Sequence, residues 1–486
     1  MARTIVVGAG SSGSVIARRL AERDRDVLLL EAGPDYPDPE TLPADLADGG
    51  RNSMVHHDWG YKHRPTLPQV VFPFPRGRVV GGSSAVNTCI ALRGQPEDYD
   101  EWGFPEWTWE KCLPAFKRLE TDLDFDGPHH GTSGPLPIRR HPPEELVTWQ
   151  AAFVEACRAL GFPDCPDSNA PGSHGVGPHA MNKIDGRRIS AAAAYLDAAT
   201  RARQNLEIRA NALVRRVLFQ GRRAWGVELV DGTRLEASQV VLCAGAINTP
   251  HLLLRSGVGP KADLERLAVE LVADVPVGQQ LLDHPGTAIF LRPRFRSGIA
   301  RTAPLIQTVL RYGSEGSGLD NDMMLQPGSK VNLPRVDFPL VSLMCAVNKS
   351  RGIGRLHWRS ADPREKPVIE SRLLEDDQDR TRAVQAMRLA QELAHTPVLH
   401  KLAAPFWPSA KVLGSDDKAH AWIKKSCDSG YHPSGTVPMG PATDARGRVH
   451  GVENLVVADA SIMPTIPTAN IHLTVLMMGE RFGEWL

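Results

Sequence analysis

The sequence predicts an α/β protein with a Rossmann-like dinucleotide-binding domain and a second, α+β domain built on an antiparallel sheet. Three observations carry this. The chain opens with a buried strand, a G-x-G-x-x-G turn, a helix and a second buried strand that ends in an acid. Two further glycine-rich turns follow, at 81–84 and 244–250. Between residues 290 and 430 the pattern changes to short strands and one long helix.

Thr4-Ile5-Val6-Val7 is the first strand. In Gly8-Ala9-Gly10-Ser11-Ser12-Gly13 the first glycine permits the tight turn. The second lets the backbone approach a pyrophosphate, and the third lets helix and strand pack closely. The helix starts at the turn, so its free N–H groups and positive dipole end face the phosphates. Val15, Ile16, Ala17 and Leu20 give it an apolar face. Val27 to Leu30 is the second strand. Glu31, with Ala32 beside it, sits where a carboxylate accepts both hydroxyls of an adenosine ribose.

The totals bound the rest. A chain of 486 residues buries a large core and predicts two domains. The formal net charge is zero, which gives no basis for nucleic-acid or anionic-membrane binding. No apolar run approaches the roughly 20 residues of a membrane span, so no integral membrane segment is expected. The motif begins at Gly8, which predicts no secretory leader. The seven cysteines are scattered and form no C-x-x-C pair, so neither a metal site nor a disulfide framework is indicated. A cytoplasmic protein with reduced thiols is the expectation.

Residues 34–76 hold eight prolines and predict a long irregular excursion over a cofactor, with His56 to Tyr61 at a ring edge, at the substrate entrance, or simply on the surface. Gly81-Gly82-Ser83-Ser84 then follows a short apolar strand. Consecutive small residues leave backbone N–H groups bare. A single phosphate would not need a second such stretch about 70 residues on, and a long dinucleotide with an extended isoalloxazine would. This favours FAD over NAD. Helices are expected around 109–120 and within 141–160. His174 and His179 lie in a loop-like stretch and read as surface histidines. Residues 206–242 read as a small antiparallel unit with a turn at Asp231-Gly232. A buried strand then meets Ala244-Gly245, and a helix opens with Pro250 near its first turn. Strands around 305–311, 321–325, 339–348 and 354–358, with a helix over 374–395, predict the antiparallel sheet of a substrate domain. Leu455 to Val457 is a strand running to Asp459-Ala460-Ser461, and Asn470 to Thr474 opens the closing helix.

These stretches resemble the glucose–methanol–choline (GMC) flavin oxidoreductases along nearly the whole chain. The matches are Gly8–Gly13; Gly77 to Ser84 with Asn87; Gly245 to Pro250 with Ser256 to Gly259; Val277-Gly278 with Leu282-Asp283-His284-Pro285; and Asp459-Ala460-Ser461. The resemblance implies a Rossmann-like FAD-binding domain of the type shared with p-hydroxybenzoate hydroxylase, and a substrate domain on a six-stranded sheet. The implied parts are 1–140, 186–289 and 430–486 for the FAD domain, and 141–185 and 290–429 for the substrate domain. Implied cofactor contacts are Gly8, Gly10, Ser11, Ser12, Gly13, Glu31, Ala32, Arg78, Val80, Gly82, Ser83, Asn87, Thr88, Cys89, Ile90, Val214, Ala244, Gly245, Asp459, Ala460, Ile471, His472 and Thr474.

Tyr431-His432-Pro433-Ser434-Gly435-Thr436 is similar to the family's H-x-x-G-T element, which aligns His432 with its catalytic histidine. Asn470 aligns with the second active-site position, and His472 is a rival for that role. Oxidising an alcohol removes a hydroxyl proton and a hydride. An imidazole with an ordinary pKa near ~6.5 accepts the proton near neutrality. The Asn470 amide orients the alkoxide, and the hydride goes to flavin N5. Where choline oxidase-like members carry a histidine that links to the flavin, this chain has Val86, so FAD is expected to be non-covalent. The expected partners are a small alcohol and O2 or another electron acceptor, with the chain a monomer or small homo-oligomer. The family also holds hydroxynitrile lyases, which keep FAD without its redox chemistry, and light-driven fatty-acid decarboxylases. Glu120 to Asp126 and Gly134 to Arg140 resemble small actinobacterial members, some of them dehydrogenases tied to mycofactocin. Oxidase and dehydrogenase stay open at this level, as does the alcohol. Phe406, Trp407 and Trp422 hint at an apolar one, although core or interface positions account for them more simply.

Overall fold

The computed structural model describes residues 3–333 and 336–486, the side chains of 332–338 excepted. Five parallel strands form one sheet in the order Leu206–Arg209, Val27–Leu30, Thr4–Val7, Gln239–Leu242 and Leu455–Val457. Thr4 pairs with Val27 on one side and Gln239 on the other. Ile5, Val6, Leu28, Leu29, Val240 and Val241 are fully buried. Strands covered on both faces read as unbroken apolar runs, which is why they were legible. Helix Ser11–Glu22 follows the first strand, and the closing helix His472–Trp485 crosses it closely. A Cβ at Gly479 would lie 2.9 Å from Cβ of Val15.

The expected antiparallel unit at 206–242 is smaller than predicted. Only Val214–Gln220, Arg223–Leu229 and Arg234–Glu236 form it, with the Asp231-Gly232 turn between the last two. Leu206–Arg209 and Gln239–Leu242 join the parallel sheet instead. The run Val240-Val241-Leu242 carries no polar alternation, so it suits a strand buried on both faces rather than a half-exposed hairpin. Two other expectations also shift. Val79-Val80 forms no strand, and Gly82–Ala85 is a 3-10 turn. Pro250 lies within helix Gly245–Leu254, past its first turn.

The antiparallel sheet runs Ala403–Trp407, Pro285–Pro293, Val341–Val347, Met323–Gly328, Thr308–Tyr312 and Gly175–Pro178, with the short Asp428–Ser429 also pairing Pro285–Gly286. Helices Thr148–Ala159 and Asp377–His395 cover one face. Ala383, Met387, Ala390 and Leu393 supply the buried stripe of the long helix, while Leu374 precedes it. Val309, Met324, Met344 and Ala346 on the opposite face pack with Ile90 and Ala469. The predicted strand at 354–358 belongs elsewhere. Arg355–His357 pairs with Val368–Glu370, which pairs with Tyr61–Arg64 from the proline-rich excursion. His174 is exposed as expected, but His179 is fully buried beside the sheet edge. Among the described residues no helix is long and apolar enough to cross a membrane.

One buried ion network ties the segments around 120–140. Arg93 pairs with Glu120, and Arg140 pairs with Asp122 at 2.9 Å and Asp167 at 2.7 Å. His130 sits 3.0 Å from Asp122 and 2.8 Å from Asp167. Burial alone would lower the His130 pKa, but Asp122, Asp167 and Glu120 outweigh it and raise it to about 10. Asp122 is held down at about 2, because His130 and Arg140 outweigh its burial. The folded His130 pKa lies above its unfolded value near ~6.5, so its stabilisation is complete below that value and is lost as pH rises through 10. His130→Gln is expected to cost about 3 kcal/mol near pH 6 and to remove most of the stability loss between pH 6.5 and 10. Denaturation midpoints across that range measure both. A variant as pH-sensitive as the parent would exclude His130 as the cause.

Candidate active site

A cavity runs along the carboxyl ends of the parallel strands. Ser11, Ser12, Gly8 and Gly10 line it from the opening turn, and Glu31 and Ala32 from the end of the second strand. Gly82, Ser83, Asn87, Thr88 and Ile90 come from the second glycine-rich stretch, and Val214, Ala244 and Gly245 from the third region. Asp459, Ala460, Ile471 and His472 close it from the C-terminal part, together with His432 and Asn470. Local chemistry explains the shape. Gly8 has φ +103°, and a Cβ there would meet the Cys243 carbonyl oxygen at 2.4 Å. Gly82 approaches Gly10 so closely that a Cβ would lie 2.7 Å from the Gly10 Cα. The two glycine-rich loops therefore form a single bare-backbone cradle.

Glu31 is buried and accepts backbone N–H bonds from Ala9 at 3.1 Å and Gly33 at 2.9 Å. Burial raises its pKa to about 7. Asp459 receives Gly245 N–H at 2.8 Å and Thr249 Oγ1 at 2.6 Å on one oxygen, and Ser461 N–H at 2.8 Å on the other. Both acids thus hold the loops around the cavity.

Five expected contacts do not line it. Gly13 packs the helix against the turn, where a Cβ would lie 1.9 Å from the Gly8 carbonyl oxygen. Arg78 lies over the Trp59 ring at 5.1 Å. Val80 and Cys89 are buried behind their loop. Thr474 faces inward, its Oγ1 2.9 Å from the Tyr99 hydroxyl. Phe406, Trp407 and Trp422 are also absent from the lining. Trp407 instead packs against Phe290 and Trp422 near the sheet edge. Of the excursion segment 56–61, Trp59 lines the cavity and Tyr61 donates to Asn248 Oδ1 at 2.6 Å.

The reacting end is built around His432. Its backbone N–H donates to Asp283 Oδ1 at 2.9 Å, and Arg76 holds the Tyr431 carbonyl at 2.8 Å. His432 Nδ1 lies 2.9 Å from His284 Nδ1, and His284 Nε2 lies 3.0 Å from the Pro467 carbonyl. The partners assign the tautomers. A carbonyl only accepts, so His284 carries its proton on Nε2 and presents a lone pair at Nδ1. His432 donates from Nδ1 into that lone pair, which leaves its own lone pair on Nε2. Asn470 Nδ2 donates to this atom at 3.0 Å. Burial, then His284, then Arg76 hold the His432 pKa well below the ordinary value, so the ring is neutral at neutral pH. His472 takes a different position, 3.3 Å from Ser11 Oγ. Asp283 and His284 were visible only as a matched motif without a role.

Asn470 Oδ1 and His472 Nε2 are buried at the cavity and bond no protein group. With the glycine cradle, the paired loops and Glu31, these atoms fit a bound dinucleotide. A doubly glycine-lined cavity at the ends of parallel strands, closed by a histidine–asparagine pair, defines a dinucleotide-dependent oxidoreductase.

Residues 2–286 and 349–479 match the N- and C-terminal family models described as GMC oxidoreductase, and the chain belongs to the GMC oxidoreductase family. It is 34% identical to 5-(hydroxymethyl)furfural oxidase of Methylovorus sp. (strain MP688), over 99% of this chain and 97% of that protein. It is 33% identical to oxygen-dependent choline dehydrogenase of Citrobacter koseri, over 99% and 94%. Pyridoxine 4-oxidase from Mesorbium loti superposes with a TM-score of 0.91 at 29% identity, covering 100% and 99% of the two chains. The protein is an FAD-dependent oxidoreductase.

Proposed function

We propose that the protein oxidises a neutral alcohol to the aldehyde or ketone, with His432 as the base and Asn470 as its partner. The carrying observation is the lone pair that the His284–His432 bond leaves on Nε2 at the cavity wall, where Asn470 Nδ2 is its protein partner at 3.0 Å. His432 takes the hydroxyl proton there. When the alcohol binds, Asn470 turns its Nδ2 N–H groups from His432 Nε2 to the substrate oxygen, which frees Nε2 for the proton. FAD supplies the hydride acceptor when bound. Val86 at the position of the family's linking histidine supports non-covalent FAD.

A neutral alcohol is favoured over a quaternary ammonium because both lining carboxylates, Glu31 and Asp459, are engaged by backbone N–H groups. The relatives act on 5-(hydroxymethyl)furfural, pyridoxine and choline by name, which extends CH–OH oxidation to this chain as the working chemistry. Asn470, which cannot titrate, weighs against the lyase reading, since acid–base elimination is served by two titratable groups. Two parts follow the resemblance: a cofactor domain from 1–140, 186–289 and 430–486, and a substrate domain from the remainder.

The test is anaerobic mixing with 5-(hydroxymethyl)furfural, pyridoxine, benzyl alcohol and choline in the dark, followed by flavin absorbance. Bleaching by a neutral alcohol and not by choline is expected. Air then distinguishes oxidase from dehydrogenase by the speed of colour recovery. A flavin that no alcohol bleaches would overturn the reading. The pH dependence gives a second test. The base is competent when neutral, so a depressed pKa extends the active range downward. Flavin reduction should therefore hold its rate down to at least pH 6.5, and an acid limb beginning above that value would argue against His432 as the base.

A further inference from the structure

Arg188 is 4% exposed and lies on the hairpin Lys183–Ile184 and Arg187–Arg188. Its Nε donates to the Leu46 carbonyl at 3.0 Å, and its Nη2 to the Asp48 and Arg51 carbonyls at 2.8 Å each. Its Nη1 donates to the Asn87 carbonyl and to Asn87 Oδ1 at 3.2 Å, and lies 3.4 Å from Cys89 Sγ. Every one of these partners is uncharged. The Asp48 carboxylate is turned to Arg51 at 3.0 Å and to Gly50 N–H at 2.7 Å. Among the described residues no carboxylate forms an ion pair with Arg188, although buried charges are ordinarily paired. Lys183, its cross-strand neighbour, is buried too and adds charge of the same sign.

The position of this charge is informative. Asn87 lines the cavity. Its Oδ1 also accepts Cys89 N–H at 2.9 Å, so only the amide N–H groups are left for a ligand. Ile90 of the same loop packs with Ala469, next to Asn470. His472, two residues past Asn470, has its pKa depressed to about 4, by burial and then by Arg188. The charge therefore stands behind the Asn87–Ile90 wall of the cavity, within reach of His472 beside Ser11. The closing helix begins at the same place and directs its positive dipole end there.

We propose that Arg188 is a positioning residue for the redox step: it fixes the Asn87 amide with its N–H groups toward the cofactor and supplies an unneutralised buried positive charge that raises the flavin reduction potential. This rests on the FAD reading of the cavity. Alcohol oxidation delivers a hydride, two electrons and one proton, while His432 retains the hydroxyl proton. The flavin consequently gains one negative charge, which a nearby cation stabilises.

The experiment measures the midpoint potential of FAD-loaded parent, R188K, R188M and N87D proteins against a reference dye, with FAD affinity measured in parallel. R188M is expected to make reduction roughly tenfold less favourable, about 30 mV for a two-electron couple. R188K, which keeps the charge, should recover most of this. N87D places a carboxylate on Arg188 without removing it and should lower the potential as well. It keeps the idea testable if R188M fails to fold. An R188M or N87D potential equal to the parent's would overturn the proposal. So would weakened FAD binding in R188M at an unchanged potential, which would assign Arg188 to holding the cofactor alone. Failure of the FAD reading would appear separately, as a parent protein that binds no flavin.

Discussion

His432→Ala is expected to retain FAD and to reduce it with alcohol between 10² and 10⁴ times more slowly than the parent. The size follows from what is lost. Nε2 carries the lone pair that Asn470 contacts at the cavity wall, and neither neighbour can take up the proton in its place. His284 presents its remaining lone pair to His432 rather than to the cavity, and its other nitrogen is bound to Pro467. Asn470 is a donor at this contact and does not titrate. The cofactor cradle is built from other residues, so the variant should stay yellow. Anaerobic stopped-flow absorbance with the best alcohol measures the rate. Added imidazole should restore part of it, because the space left by the ring opens onto the cavity. A reduction rate equal to the parent's would remove His432 from the mechanism, whatever its geometry.

Gly10→Val should abolish flavin binding while leaving the fold intact. The two effects separate here because of the surroundings of Gly10. Its φ of −78° is ordinary for any residue. The single neighbour that a Cβ would meet is Gly82 Cα, at 3.9 Å. The valine side chain therefore enters the cradle and not the core. It fills the space through which the backbone approaches a pyrophosphate. A colourless protein with the parent's circular dichroism is the expected result. A yellow protein with one FAD per chain would contradict the cradle assignment. Gly13→Val is a useful contrast, since a Cβ there collides with the Gly8 carbonyl, and loss of the fold itself is expected.

What the sequence determined by itself was local. Gly8 to Gly13 between two apolar runs dictates strand, turn and helix, since every contact it needs lies within about one βαβ unit. The long amphipathic helix at 377–395 was legible for the same reason, from its apolar spacing. His432 and Asn470 were legible through a short motif and its spacing to the closing helix, and the structure sets them 3.0 Å apart.

Partnerships across long stretches of chain were left to the tertiary structure. His284 reaches His432 across 148 residues, and Arg188 reaches Asn87 across 101. No periodicity or turn signal encodes such a meeting. The assignment of 206–209 and 239–242 to the parallel sheet was decided the same way, because strand pairing depends on which neighbour covers the second face. The His432 pKa also belongs to the folded state. Its direction comes from burial and from His284 and Arg76, and the field at a side chain depends on where distant groups end up, not on the residues beside it in the chain.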